Sequence, residues 1–210
     1  MAVNRYGPLT KDSTTIALGL AQIRVGASAA NIANYNPCLG SGHSLGAMAN
    51  TSYTGNLEFY KLESGYPMLE DATFPLRESA MMECGFREIT PKNMALAYGL
   101  DPSSYTDVHS GTVPLGNITT PVYIRMEALY TFPDGTNTMT FVFPRAQAVA
   151  SIEMEFAPEE PAAVGLSFEA KRSDSGISGG NAVWDSAPLG RIVWDSGTGF
   201  TTTSTTTTTA

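Results

Sequence analysis

Residues able to do chemistry are few and scattered along this 210-residue sequence. The two histidines, His43 and His109, both lie in polar, turn-prone stretches, so a histidine acting as acid, base or ligand would have to be positioned by loops. Cys38 and His43 make a C-x4-H pair, but a closed zinc site needs about four ligands and no second pair stands at metal-binding spacing. Surface histidines and two free buried thiols, Cys38 and Cys84, are what these positions support. Gly40-Ser41-Gly42 lacks the Gly-Lys-Ser/Thr ending and the strand-to-helix setting of a phosphate loop. Glu153 and Glu155 are spaced as neighbours on one polar strand face, and Glu159 and Glu160 sit in a proline-flanked turn, so neither pair reads as an acid/base couple. The expectation is a chain with no catalytic residue, no metal and no cofactor.

The elements that would have to position any site are strands. Thr14 to Val25 is rich in small and β-branched residues, with Ile16, Leu18 and Leu20 on one parity, and predicts a first strand. Residues 26–50 carry Asn, Gly, Ser and the Asn36-Pro37 turn signal with little periodicity, which predicts an extended loop. Tyr53 to Leu62 alternates and stops at Gly65-Tyr66-Pro67. Phe74 to Ile89 places Phe74, Leu76, Ala80, Met82, Cys84 and Phe86 on one parity and Arg77, Ser79, Glu83 and Arg87 on the other, the pattern of an antiparallel strand with one solvated face. Thr90-Pro91 at the start and Gly99 at the end bracket a short helix. Val122 to Phe132 and Thr138 to Phe143 flank Pro133-Asp134-Gly135 as a hairpin, and Ala148 to Phe156 and Val164 to Ala170 add two further strands.

After Asp174 the composition turns to Gly, Ser and Thr. Trp184-Asp185-Ser186 recurs as Trp194-Asp195-Ser196, and 201–210 is almost all threonine. Three regions are therefore expected: a β domain over 1–174, a Trp-Asp-Ser extension over 175–200 that could dock on the body or on a neighbour, and a low-complexity tail over 201–210. The fold class is mainly β, an antiparallel sandwich or barrel with one short flanking helix. Twelve basic against twenty acidic residues give a net charge of −8, which disfavours binding to nucleic acid through neutralised phosphates. No apolar run long enough to span a bilayer is present, and the first residues lack a signal-peptide pattern, so synthesis and folding in the cytoplasm are expected.

The stretch Glu78-Ser79-Ala80-Met81-Met82-Glu83-Cys84-Gly85-Phe86-Arg87-Glu88-Ile89-Thr90-Pro91-Lys92-Asn93-Met94-Ala95-Leu96-Ala97-Tyr98-Gly99 resembles the central signature of bacteriophage (siphovirus-like) major tail tube proteins. There a strand ends in an acidic residue, then Thr, then Asn-(apolar)-Ala-(apolar)-Ala-(any)-Gly. A second similar block contains the hairpin at Phe132-Pro133-Asp134-Gly135, then Phe143-Pro144-Arg145-Ala146, then an alternating strand and 162–170. The two blocks cover about 53–174.

The resemblance implies a structural virion protein, made in the host cytoplasm, that joins copies of itself into hexameric rings stacked as a tail tube for genome delivery. Other tail proteins (tape measure, terminator, baseplate or tip) would be its partners, genomic DNA would pass without specific binding, and no membrane insertion is implied. Lumen-lining candidates on the polar parity are Glu83, Glu127, Glu153 and Glu155, interspersed with Arg77, Arg87 and Arg125. By analogy with the family's extended loop, Asn34, Tyr35, Asn36 and Leu45 are candidates for contact with the adjacent ring. A related ring-former, namely a tube, terminator or baseplate protein of a contractile tail or injection system, is the neighbouring reading. A β-sandwich carbohydrate-binding or adhesin module, with Trp184 and Trp194 as sugar platforms, is the reading from a different class.

Overall fold

The structure is a computed structural model, and it describes residues 16–66, 69–105, 107–116, 122–149, 152, 154 and 162–196. The strands are β1 (Gln22–Ala27), β2 (Met48–Ser64), β3 (Leu69–Phe86), β4 (Tyr123–Thr131), β5 (Thr138–Val149), β6 (Val164–Ala170) and β7 (Arg191–Asp195); the helices are α1 (Ser28–Asn31) and α2 (Pro91–Ala97). The mainly β, antiparallel expectation with a short helix holds: all seven strands form one sheet in the order β1-β4-β5-β6-β3-β2, with β7 on β5, and every pairing is antiparallel.

The two ends of that order approach each other. Ser44, on the lead-in to β2, bridges Arg24 of β1, and the Leu45 amide donates to the Ile23 carbonyl at 2.9 Å. The Ala21 amide donates to Thr51 Oγ1 at 3.1 Å. Curled this way, the sheet encloses a core drawn from its inner parity: Ile23 and Val25 of β1, Met82 and Phe86 of β3, Ile124 and Met126 of β4, Phe143 of β5, and Leu166 and Phe168 of β6. Leu96 and Ala97 of α2 join that core. Tyr53 meets Phe141 across it, ring centroids 4.7 Å apart.

Local chemistry sets the element ends. Thr90 accepts from the Asn93 amide at 3.2 Å as the N-cap of α2, and Pro91 occupies the first turn, where a missing N–H costs nothing. Gly99, with φ 70°, closes the helix: its amide donates to Leu96 O and that of Leu100 to Ala95 O, the paired bonds of a glycine-terminated helix. The buried Asn93 then donates through Nδ2 to Leu45 O and Glu88 O, which fastens α2 to the lead-in of β2. In the β4–β5 hairpin, Asp134 Oδ1 accepts from the Thr136 and Asn137 amides, and Gly135 supplies the positive φ.

Several sequence expectations are corrected. Among the described residues only Gln22–Val25 of the expected first strand pairs, as the start of β1; the ladder with β4 ends at Gln22↔Leu129, and Ile16, Leu18 and Leu20 before it are exposed, with the Leu18 backbone hydrogen-bonded by the Tyr130 hydroxyl. Residues 14–15 lie outside the described residues. The 26–50 segment is not an extended excursion: it holds α1 and a 3-10 turn at Ser41–His43, buries Ile32, Leu39 and Leu45, and runs into β2 at Met48. Of the strand expected over 148–156, Ala148 and Val149 are the end of β5, which runs unbroken from Thr138, and Ile152 and Met154 are in no strand; residues 150, 151, 153 and 155–161 lie outside the described residues. The sheet also continues past Asp174, since β7 pairs with β5 from Thr138↔Asp195 to Val142↔Arg191. The Thr-rich 201–210 segment lies outside the described residues.

Candidate interaction surface

The strands β2 and β3 are 17 and 18 residues long, about three times the usual strand length. Only one end of each belongs to the barrel: β3 pairs with β6 from Met81↔Glu169 to Phe86↔Val164 alone. Beyond Met81 the two strands pair only with each other, as a two-stranded ribbon that leaves the barrel and ends at Ser64↔Leu69. An isolated ribbon of this kind is marginal in water, and here it has neither a third strand nor a covering layer among the described residues.

Its side chains are the reverse of what a solvated ribbon would carry. Leu57 (60%), Phe59, Tyr60, Leu62, Leu69 (65%), Phe74 and Leu76 (69%) are all exposed. They occupy both faces. Leu57 and Phe59 continue the parity of the inward-facing Tyr53, whereas Tyr60 and Leu62 lie on the other parity. Register shifts near Glu58/Phe59 and Leu62/Glu63 each place an extra β3 residue, Leu76 and Asp71, opposite the step in β2. The first shift carries Phe74, opposite Tyr60, to the outer face. Phe74 and Leu76, expected to share a buried parity with Ala80 and Met82, are exposed because beyond Met81 neither face of the ribbon is covered among the described residues. Charges flank the apolar residues, with Lys61 and Glu70 paired at 2.7 Å. Thr73 also donates to that carboxylate, and these two hydrogen bonds, Lys61's the larger, hold the Glu70 carboxyl below its usual range.

The outer face of β4 shows the opposite arrangement, polar and buried. Arg125 and Glu127 are 0% and 1% exposed. The Arg125 guanidinium donates from Nε to Glu127 Oε1 (2.7 Å), from Nη1 to Asn31 O and Asn34 O, and from Nη2 to Asn36 O. Glu127 accepts from the amides of Cys38 (Oε1, 2.9 Å) and Leu39 (Oε2, 3.0 Å). The pair thus binds the backbone of the 28–39 segment to the sheet, while Ser28 Oγ donates to Pro144 O where β5 bulges against β4.

These positions decide how the sequence-derived candidates stand. Glu83 is exposed on β3, opposite Ser52. Glu127 and Arg125 are corrected: the non-core parity of β4 is roofed by the 28–39 segment, so neither side chain faces solvent. Glu153 and Glu155 lie outside the described residues. Of the loop candidates, Asn34 and Tyr35 are exposed and Asn36 is half-buried with its Oδ1 accepting from Arg191 at 3.0 Å. Leu45 is corrected: at 1% exposure it is a core residue and unavailable for contact with another ring. Trp184, 0% exposed, is withdrawn as a sugar platform, whereas Trp194 is 65% exposed on β7. The ribbon itself was not singled out from the sequence; the available signal was apolar residues on both parities of Leu57 to Leu62, which no two-faced strand explains.

Comparison with known proteins gives little purchase. No family model matches this chain, and no curated protein matches it. Among solved structures, one match is titled "Cryo-EM structure of the anti-feeding prophage cap (AFP tube terminating cap)", with TM-score 0.43 and 9% identity over 93% of this chain and 99% of that one. Another is titled "Cryo-EM structure of the anti-feeding prophage (AFP) baseplate, 6-fold symmetrised", with TM-score 0.43 and 12% identity over 87% of this chain and 97% of that one. Alignments of this quality define neither a shared fold nor a shared role.

Among the described residues no group of three or more His, Cys, Asp or Glu could hold a metal ion. Burial pushes the Cys84 thiol up to about 12, far from the range of a nucleophilic thiolate; Cys38, expected to be buried, is exposed, and partial desolvation raises its thiol as well. A groove between α2 and residues 108–115 is lined by Ile89, Pro91, Met94, Val108 and His109 and presents no paired acid and base. No described helix is long and apolar enough to cross a membrane.

Proposed function

We propose that this chain is a structural subunit of a phage-tail-type particle that associates with copies of itself into rings, and that the rings stack into a tube. The observation that carries the reading is the β2–β3 ribbon, which bears exposed apolar side chains on both faces and two open backbone edges beyond Met81. Exposed edges and large apolar patches are hazards for a monomer, and packing against further copies removes both. The resemblance at Glu78 to Gly99 agrees with this, since its elements are a strand running into a capped, glycine-terminated helix. In a ring, the exposed Glu83 becomes a candidate for the lumen and Asn34 and Tyr35 for contact between rings. The neighbouring reading, a terminating or baseplate ring of a contractile tail, uses the same ribbon and differs in that its rings do not stack.

Negative-stain electron microscopy of the purified protein at rising concentration tests this. Hollow tubes support the tube reading, and rings that never stack support the terminating reading. A chain that stays monomeric at high concentration would overturn both. The triple variant Leu57→Asp, Phe59→Asp, Leu76→Asp should remain folded and monomeric; if it assembles as the wild type does, the ribbon is not the assembly surface.

A further inference from the structure

The Trp-Asp-Ser triplet occurs twice, and the two copies are folded differently. The second lies on β7, with Trp194 opposite Met139 and largely exposed. The first is built into a 3-10 turn, Ala182–Trp184, capped by Asn181, whose Oδ1 accepts from the Val183 amide at 3.0 Å. Each member of this first copy makes a contact. The Trp184 indole N–H donates to Ile32 O at 2.6 Å, and its ring packs with Ile32, Val142 and Val193. Asp185 Oδ1 accepts from the Ser175 amide at 2.8 Å, which closes the segment on itself. Ser186 lies beside the Tyr35 side chain, whose ring is 5.0 Å from that of Trp184. Seven residues on, the Arg191 guanidinium sits 4.0 Å above the Tyr35 ring and donates to Asn36 Oδ1.

Apart from Val142 of β5, these outward contacts fall on Ile32, Tyr35 and Asn36, within the 28–39 segment that Arg125 and Glu127 grip from the sheet side. Trp184 also lies 5.8 Å from Arg125, at the margin of the ion pair. A buried pair of this kind holds its partners strongly only while water is excluded, because water competes for the same donors and acceptors. The segment is therefore held from the sheet by Arg125 and Glu127 and from its flank by Trp184, which rests on Val142 of β5, and by Arg191.

We propose that residues 175–195 form an intramolecular latch: seated on Ile32, Tyr35 and Asn36 and flanking Arg125, they hold the 28–39 segment against β4 and fix its outward residues Ala33, Asn34 and Tyr35 in one arrangement. The presentation of that surface is then a property of the single folded subunit, set before any partner arrives. The inference is independent of the ring reading, since every contact in it lies within one chain.

Amide hydrogen exchange on the full chain, held at a concentration where it is monomeric, tests the latch directly, because the Cys38 and Leu39 amides donate to Glu127. In Trp184→Ala, exchange across 31–39 should accelerate at least tenfold while Met81–Phe86 of β3 and Val164–Ala170 of β6 keep their wild-type protection. Arg191→Ala, which leaves the indole in place, should give a smaller acceleration confined to the same residues. Unchanged exchange at 31–39 in both variants would overturn the proposal. So would a parallel rise in β3 and β6, which would make Trp184 a support of the whole fold. Trp194→Ala should leave 31–39 unchanged; an acceleration equal to that of Trp184→Ala would also count against a latch seated by the first copy.

Discussion

The distal β2–β3 ribbon and the outer face of β4 invert each other. On the ribbon, Leu57, Phe59, Leu69 and Leu76 face solvent; on β4, Arg125 and Glu127 are sealed from it. Each is stable for a local reason. The ribbon's backbone is satisfied by its own pairing, so its apolar side chains can await a partner surface. The charged pair is tolerated because carbonyls of Asn31, Asn34 and Asn36 and amides of Cys38 and Leu39 meet it on every side. Side-chain polarity alone thus does not tell which surface of this molecule is finished and which is waiting.

The sharpest way to break the comparison is to orphan one charge. Arg125→Ala leaves Glu127 buried without its cation and should cost about 3–5 kcal/mol in urea unfolding. Substituting both residues with apolar side chains should recover only part of that loss, because the loop backbone groups they satisfy would then be unpaired. A smaller cost would mean that water already reaches the pair.

The two tryptophans sharpen the contrast within one repeated triplet. Trp184→Ala removes a fully buried ring and its hydrogen bond and should destabilise by about 3 kcal/mol or more. Trp194→Ala, on an exposed strand face, should stay within about 0.5 kcal/mol. Thermal unfolding of the two variants side by side decides it, and equal losses would mean that β7 is more deeply packed than its exposure indicates.

The smallest expected effect is on the ribbon. Leu57→Ser and Phe59→Ser should each change the stability of the monomer by no more than about 0.5 kcal/mol, since both side chains are more than half exposed. Measured at low concentration, a loss several times larger would show that the ribbon folds back on its own barrel in solution and is not held open for a partner.

The capped helix at Pro91–Ala97, the β4–β5 hairpin and β6 were legible along the chain, because their signals are local: Thr90 and Pro91 at a helix start, Gly99 at its end, Asp134-Gly135 in a turn, and a short alternating run at Val164 to Ala170. The mainly β class followed from the same alternation. What the chain could not disclose was the environment of each strand face. Arg125 and Glu127 sit on the parity that alternation assigns to water, and only the return of residues 28–39, some ninety positions earlier, covers them. Phe74 and Leu76 share a parity with core residues, and only the end of pairing with β6 at Met81 leaves them uncovered.

The Trp-Asp-Ser triplets state the division most plainly. Sequence by itself determined that the motif occurs twice, with the same three side chains in the same order. Only the tertiary structure made one copy a buried turn and the other an exposed strand. Backbone conformation and burial are set by what packs alongside: Ile32, Tyr35 and Val142 surround Trp184, whereas Trp194 has β5 on one side and solvent over its ring. A polypeptide specifies periodicity, caps and turns through neighbours a few residues away, but the face a side chain presents is fixed by contacts between residues far apart in the chain.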